Sequence, residues 1–227
     1  DYAFTGCRSL TQIIIPDSVK SIGNNAFLEC SSLNKLILSS SLATIEEGVF
    51  SKCSSLTQIS IPSSVTSIGS NAFSECSLLV QISFEVPSSI TSLGQGAFNR
   101  CSSLMQIEIP SSVSLIGINA FKECSALTQI SFEEPSSIDT IGDYAFNDCS
   151  SLTTISIPSS VKSIGNNTFL RCSSLAIISI PSSVTEIGNY LFYQCSLLTQ
   201  ISIPSSVTSI GEYSFSGCSS LVQISIP

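Results

Sequence analysis

The sequence predicts an elongated solenoid of about ten short coils with a parallel β-sheet along one side. Its ten cysteines mark a repeat, because successive cysteines are 23 residues apart except for two separations of 25. A fixed period of this length is typical of solenoids, whose units bury their apolar side chains only by stacking on their neighbours. One stretch of alternating apolar and polar residues in each unit indicates one short strand per unit. The cysteines are Cys7, Cys30, Cys53, Cys76, Cys101, Cys124, Cys149, Cys172, Cys195 and Cys218.

The predicted strand follows the cysteine of each unit. In the unit that begins at Cys53, the apolar Ile59 and Ile61 alternate with the polar Gln58 and Ser60. This period of two is the pattern of a strand with one buried face. The next residue is a proline, which ends the strand because it has no backbone N–H to donate.

The remainder of the unit is expected to return around the back of the solenoid. Val65 and Ile68 would point inward, and Gly69 would supply a backbone conformation that residues with a Cβ disfavour. The convex side is expected to consist of turns or of short helical or 3-10 segments, and the following Asn-Ala-Phe, residues 71–73, favours one helical turn. Its Ala, its Phe and the next cysteine would lie on the inner side of that turn.

Three units depart from the pattern. In the second unit Leu38 and Ser39 replace the Ile-Pro pair and Glu46 replaces the glycine, so we expect the backbone to bend differently there. The units that begin at Cys76 and Cys124 carry insertions, at residues 84–87 and 132–135. Such insertions are expected to bulge from one edge of a solenoid and leave its stacking intact.

The repeat predicts a single domain over residues 1–227. Because the chain begins and ends within a unit, we expect an excised fragment without native caps, and bare ends leave end-to-end self-association open. Apolar residues make up 43% of the chain, charged residues 11%, and the net charge is -8. An acidic surface with few cations argues against nucleic acid as a partner. No apolar run approaches the roughly 18 residues needed to span a bilayer, so this fragment is not expected to insert into a membrane.

The chain contains no histidine, which bears on every candidate chemistry. Neither a Ser-His-acid arrangement nor a Cys-His pair is available, and we predict no enzymatic activity and no cofactor. Equivalent cysteines in successive coils have parallel Cα–Cβ bonds about 5 Å apart, which does not suit a disulfide. We therefore predict buried free thiols that act as small core residues, and no metal site.

The outward strand positions form the candidate binding surface. They are mostly glutamine and serine, and two interpretations stay open: a ladder of amides that orders the sheet, or a rigid uncharged surface that binds a protein or glycan through many weak contacts. Positions that break the pattern are the better candidates for a specific epitope. The candidate residues are Lys35, Gln58, Gln81, Gln106, Glu108, Gln129, Thr154, Ile177 and Gln200.

Two further features lie beside that surface. Glu85, Glu108, Glu133 and Glu134 follow the strands of three successive units and predict an acidic edge, which would bind a cation or a basic partner or would simply be solvated. Asn166 begins an Asn-Asn-Thr glycosylation pattern that has meaning only in a protein exported from a eukaryotic cell.

The repeated pattern Cys-Ser-Ser-Leu-x-x-Ile-x-Ile-Pro-x-Ser-Val-x-x-Ile-Gly-x-x-Ala-Phe resembles the BspA-like family of leucine-rich repeat proteins, over the whole chain. The resemblance implies a right-handed leucine-rich repeat solenoid of the α/β type, with a sheet on one face. It also implies a secreted or cell-surface protein of host-associated bacteria or parasitic protists. Members of the family are regarded as adhesins, and no catalytic residues come with them.

These observations predict a non-enzymatic adhesion or recognition module. It would bind host matrix proteins, cell-surface proteins or glycans, on host or neighbouring cells, through the sheet face. A purely structural spacer is the first alternative. The second is an intracellular interaction scaffold, which the unpaired cysteines favour because exported proteins seldom keep many free thiols.

Overall fold

The computed structural model describes residues 1–226 as a stack of β-coils. We number the coils by the cysteine that opens each, from coil 1 at Cys7 to coil 10 at Cys218. Each coil contributes one strand to a main face: β1 Gln12–Ile14, β2 Lys35–Ile37, β4 Gln58–Ile61, β6 Gln81–Phe84, β8 Gln106–Ile109, β10 Gln129–Phe132, β12 Thr154–Ser156, β14 Ile177–Ser179, β16 Gln200–Ser202 and β18 Gln223–Ser225.

Coils 2 to 9 add a second, two-residue strand on the opposite face. These back strands are β3 Thr44–Ile45, β5 Ser67–Ile68, β7 Ser92–Leu93, β9 Leu115–Ile116, β11 Thr140–Ile141, β13 Ser163–Ile164, β15 Glu186–Ile187 and β17 Ser209–Ile210. The sequence predicted only the main strand of each coil. The predicted parallel solenoid is confirmed, and the back strands make it a two-faced one.

All strand pairs are parallel and join successive coils in register. The eight even-numbered strands from β4 to β18 form the main sheet, whereas in the described residues β1 and β2 pair only with each other. The interruption falls where Leu38 and Ser39 replace the Ile-Pro pair. Ser39 is fully buried there, and its hydroxyl donates to the Val19 carbonyl oxygen at 2.7 Å. The irregular second unit therefore changes the local path of the chain, as predicted.

The convex segment is a series of turns, which is one of the predicted forms, and the helical turn favoured for residues 71–73 does not form. Its amides alternate between two kinds of acceptor: Phe73 N–H donates to Ala97 of the next coil at 2.8 Å, and Cys76 N–H donates back to Phe73 at 3.2 Å. Asn71 and Glu75 have φ values of 54° and 61°, which belong to the left-handed region. A helix cannot contain this alternation, because all its amides bond within the segment.

The glycine that follows the inward Ile or Leu of most coils is required for the close approach of two backbones, and not for an unusual backbone conformation as predicted. Gly69 and Gly94 are not among the glycines with positive φ. A Cβ added to Gly94 would lie 2.7 Å from the carbonyl carbon of Gly69, and one added to Gly69 would lie 2.8 Å from that of Glu46. Successive coils thus come into backbone contact along this line.

The core is a set of identical side chains stacked from coil to coil. Phenylalanine rings from Phe4 to Phe215 form one continuous stack, with successive centroids 4.9 to 5.7 Å apart. All ten cysteines are free thiols, as predicted. Eight of them are buried, but Cys7 is exposed and Cys218 is partly buried. Each coil therefore gains most of its burial from its two neighbours.

Candidate functional site

The predicted sheet-face residues lie in files on the exposed side of the main strands. Strand register aligns one file in the order Gln58, Gln81, Gln106, Gln129, Thr154, Ile177 and Gln200. Glu108 lies opposite Ser131 in the neighbouring file, and Lys35 occupies β2, outside the eight-stranded sheet. All nine candidate residues are exposed. The structure therefore brings eight of them together on one sheet and leaves Lys35 apart.

The glutamine amides of this face are not tied to one another. Within residues 1–226, no side-chain hydrogen bond joins the amides of Gln58, Gln81, Gln106 and Gln129, although the strands that carry them are paired. The sheet is held by its backbone and by the core behind it. The amide donors and acceptors of this face therefore point to solvent, where a partner can reach them.

A concave site lies in the middle of this face, which we call the central cleft. It has a volume of about 400 Å³ and is built by coils 4 to 6. The two insertions form its walls, because coils 4 and 6 carry them and coil 5 does not. The strand of coil 5, β8, forms the floor. The lining residues include Gln81, Ser83, Phe84, Val86, Ser88, Gln106, Glu108, Pro110, Gln129, Ser131 and Glu133.

The walls of the cleft are fixed by hydrogen bonds that acidic side chains accept from a neighbouring coil. Glu133 accepts from the backbone N–H and the hydroxyl of Ser111 at 2.9 and 3.0 Å, and these two donors lower the pKa of its carboxyl group. Glu85 accepts from Ser63 N–H at 3.3 Å. Two members of the predicted acidic edge thus hold the inserted loops in place.

The other two acidic residues differ in their surroundings. Glu134 accepts from the N–H of Ser136 in its own loop at 3.0 Å. Glu108 is exposed on the floor strand, and the hydrogen bonds of residues 1–226 include none to its carboxylate. Over those residues, no group of three or more acidic or cysteine side chains is placed to hold a metal ion. Glu108 is therefore the carboxylate of this edge that faces the cleft without a protein partner.

Exposed apolar side chains lie just before the strands of the cleft begin, next to its lining residues Gln81 and Gln106. Val80 and Met105 immediately precede Gln81 and Gln106, which are paired in register, and Leu78 lies two residues before Val80. Equivalent positions in most other coils are serine, threonine or alanine. We call these three residues the apolar rim.

A charged file on the convex side was missed by the sequence reasoning. The residue before each cysteine alternates in sign over Glu29, Lys52, Glu75, Arg100 and Glu123, and each of these residues has a positive φ. Lys52 and Arg100 contact Glu29 and Glu123 at 3.2 and 2.9 Å. The alternation of sign at one repeat position is the signal that could have revealed it. Because these charges pair within the chain, the file offers little net charge to a partner.

The architecture is that of a leucine-rich repeat protein. The model of the BspA-type leucine-rich repeat region, which comprises six copies, matches residues 1–128, 81–197 and 119–227. The chain belongs to this family. Among curated proteins, none matches it. In the described residues no helix is long and apolar enough to cross a lipid bilayer.

Several solved structures resemble the chain. A leucine-rich repeat protein of T. pallidum is 31% identical with a TM-score of 0.68, over 78% of this chain and 82% of its own. A leucine-rich cell surface protein of Faecalibacterium prausnitzii A2-165 is 28% identical with a TM-score of 0.51, over 95% and 79%. A leucine-rich repeat protein of Eubacterium ventriosum ATCC 27560 is 27% identical with a TM-score of 0.71, over 96% and 60%.

These similarities define the class of function. The chain is a repeat module of a kind used for protein interaction, and its solenoid is a non-enzymatic type of scaffold.

Proposed function

We propose that the protein is a cell-surface recognition module that binds a segment of a host or neighbouring-cell protein, or a glycan, in the central cleft. The observation that carries the proposal is the coincidence of two insertions with the one acidic break in the serine file. Coils that served only as spacers would gain nothing from these departures. The surface location is supported by the F. prausnitzii relative, which is described as a cell surface protein.

The chemistry of the cleft suits a polar ligand with many hydrogen-bonding groups. Its lining presents the amides of Gln81, Gln106 and Gln129 beside the hydroxyls of Ser83 and Ser131. Because stacking on both neighbours fixes each coil, the floor is rigid and little conformational entropy is lost when a ligand binds. Each contact is weak, so affinity would depend on the number of contacts made along the face.

The test is the binding of the purified protein to intact epithelial cells and to immobilised matrix proteins. A variant with Gln81, Gln106 and Gln129 changed to Arg fills the cleft and is expected to weaken saturable binding at least tenfold. The matched control changes Gln12, Gln95 and Gln223 to Arg, which adds the same charge at three exposed glutamines outside the cleft.

Each outcome of this comparison decides between the proposal and its alternatives. Loss in the cleft variant alone supports the proposal. Equal loss in both variants would show that charge, and not the cleft, determines binding. No saturable binding by the unmodified protein would contradict the proposal and favour a structural spacer or a scaffold for partners inside the cell.

A further inference from the structure

We propose that the central cleft binds an extended peptide segment that carries a basic side chain for Glu108 and an apolar side chain for the apolar rim. This inference rests on the proposed function, because it assigns a ligand class to the same cleft. It depends on three observations: the charge of the cleft, the direction in which the cleft is open, and the position of the rim.

The cleft is negative and holds no positive side chain. Its lining includes Glu108 and Glu133 but none of the chain's lysines or arginines. The strands of the eight-stranded sheet, β4 to β18, also carry no lysine or arginine. The ion pairs of residues 1–226 lie elsewhere and leave both glutamates without a cation. A lysine or arginine of a partner would thus meet an uncompensated carboxylate between two walls, where solvent screens the attraction less than on an open surface.

The walls set the direction of the ligand. The inserted loops follow β6 and β10, so they lie at the level of the residues that follow β8, where Glu133 accepts from Ser111. The gap between the loops therefore continues the line of β8, and the loops block a ligand that crosses the coils at this end of the strand. A chain that lies along this line runs parallel to the strands and presents every second side chain to the floor, since side chains of an extended chain alternate.

The apolar rim lies before the start of the strands, at the end opposite the inserted loops. Met105 is 53% exposed and precedes β8, three residues before Glu108, a separation of about 10 Å at roughly 3.3 Å per residue. Because Met105 lies before the alternation of β8 begins, it is exposed like its neighbour Gln106 and is not turned to the core. Val80 precedes the neighbouring strand at the same level. An extended ligand spans this distance when its basic and apolar residues are separated by two or four positions, about 7 or 13 Å, within reach of flexible side chains. An odd separation would turn the two side chains to opposite faces.

The test uses fluorescein-labelled nonapeptides of alternating serine and threonine that carry one lysine and one leucine. The two residues are placed two, three or four positions apart, in both orders, and binding is measured by fluorescence anisotropy at low and high salt. We expect even separations to bind at least fivefold more tightly than odd ones, and we expect added salt to weaken binding. The preferred order gives the direction of the bound chain.

Two substitutions and two matched controls complete the test. Glu108→Gln is expected to weaken binding about tenfold and Met105→Ser about fivefold, which correspond to about 1.4 and 1 kcal/mol. Glu186→Gln removes an exposed carboxylate from the back strand β15, and Leu197→Ser removes a side chain that is also 53% exposed but lies in coil 9. Neither control is expected to change the affinity.

The inference is overturned if odd separations bind as tightly as even ones, if glutamate replaces lysine in the peptide without loss, or if Glu108→Gln binds normally. Failure of every peptide to bind also overturns it. A glycan array provides the distinguishing arm: a glycan that binds the unmodified protein and Glu108→Gln equally, but not the cleft variant with three arginines, would leave the proposed function in place and remove the peptide.

Discussion

Each buried cysteine supplies a polar contact between coils as well as core volume. The Cys53 thiol donates to the Phe27 carbonyl oxygen at 3.3 Å, and the Cys76 thiol donates to that of Phe50 at 3.2 Å. The same bond recurs for every cysteine from Cys30 to Cys218. Valine would fill a similar volume but would leave each of these carbonyl oxygens without the thiol donor. A repeated cysteine therefore suits this position better than a repeated hydrocarbon.

Alkaline pH is expected to unfold the protein steeply. Burial raises the pKa of Cys53 and of Cys124 to about 12, from an ordinary value of 9.0. Since the folded pKa is the higher one, the neutral thiols stabilise the fold fully below pH 9, and this contribution is lost as the pH rises towards 12. The loss amounts to roughly 1.4 kcal/mol per pH unit for each buried thiol. Thermal unfolding followed by circular dichroism from pH 8 to pH 11 measures the slope.

Two variants separate the thiols from other groups that titrate in this range. Cys53→Ala is expected to reduce the pH slope of the unfolding free energy by one thiol's share, even though its overall stability is lower. Val65→Ala truncates a buried side chain that cannot ionise, so it should lower the stability but leave the slope as it is. A slope that is the same in all three proteins would show that the thiols do not control alkaline unfolding.

At the scale of the strand and the turn, the sequence pattern predicted the elements that one unit defines by itself. The alternation of Ile59 and Ile61 with polar residues was sufficient for the main strand. The back strand Ser67–Ile68 was missed because two residues are too few to show alternation. The helical turn favoured for residues 71–73 does not form, because the geometry of this segment depends on amides that donate to the next coil, which a single unit does not reveal.

In the candidate site, too, the features of a single unit were predicted and those that depend on neighbouring coils were missed. The insertions at residues 84–87 and 132–135 were predicted to bulge from an edge, and the structure places them beside the sheet face. The cleft itself was missed, because it exists only where two such loops flank a coil without one. Glu108 was singled out as a break in the serine file, but its place on the floor depends on the walls that its neighbours supply.

The inserted loops are expected to be dispensable for folding. Changing Phe84 and Phe132 to Ile and deleting the two residues after each gives coils 4 and 6 the Gln-Ile-Ser-Ile-Pro-Ser-Ser of coil 3. The hydrogen bonds from Ser63 and Ser111 to the loops are lost, but shorter loops cost slightly less closure entropy. We expect a melting temperature within about 5 °C of the original, because Phe84 and Phe132 are only partly buried and Ile61 fills the equivalent position of coil 3. Calorimetry measures it, and a much larger decrease would mean that the loops support the stack.

Over the whole molecule, register connects one coil to the next. Main strands, back strands and the phenylalanine stack join equivalent positions, most of them 23 residues apart. The thiol bonds repeat with the same period, although each joins two different positions, as Cys195 does with Phe169, 26 residues earlier. Each coil contacts only its neighbours, so stability is close to a sum of coil and interface contributions. A change that preserves the period should therefore be tolerated better than a smaller change that breaks it.

Removal of residues 172–194, one full period, is expected to leave a folded solenoid. Phe169 would then stack on Phe215. Strand β12 would pair with β16 in the same register in which each of them now pairs with β14. Loss of one coil and one interface should lower the melting temperature by only a few degrees, with one cooperative transition. Removal of residues 172–193 leaves one extra residue in the convex turn, where alternate amides donate to the next coil.

The one extra residue shifts the alternation of the turn: amides that donated within the turn would face the next coil, and amides that donated to the next coil would face the turn. The side chains that follow would no longer align with the equivalent side chains of the neighbouring coils. The corner after a main strand accommodates two extra residues in coils 4 and 6, but the convex turn keeps a constant length in every coil. We therefore expect the shorter deletion to expose the last coils to limited proteolysis, while the longer one stays resistant. If both deletions resist the protease equally, the convex turn can absorb a register shift, and the alternation of its amides does not determine how the coils stack.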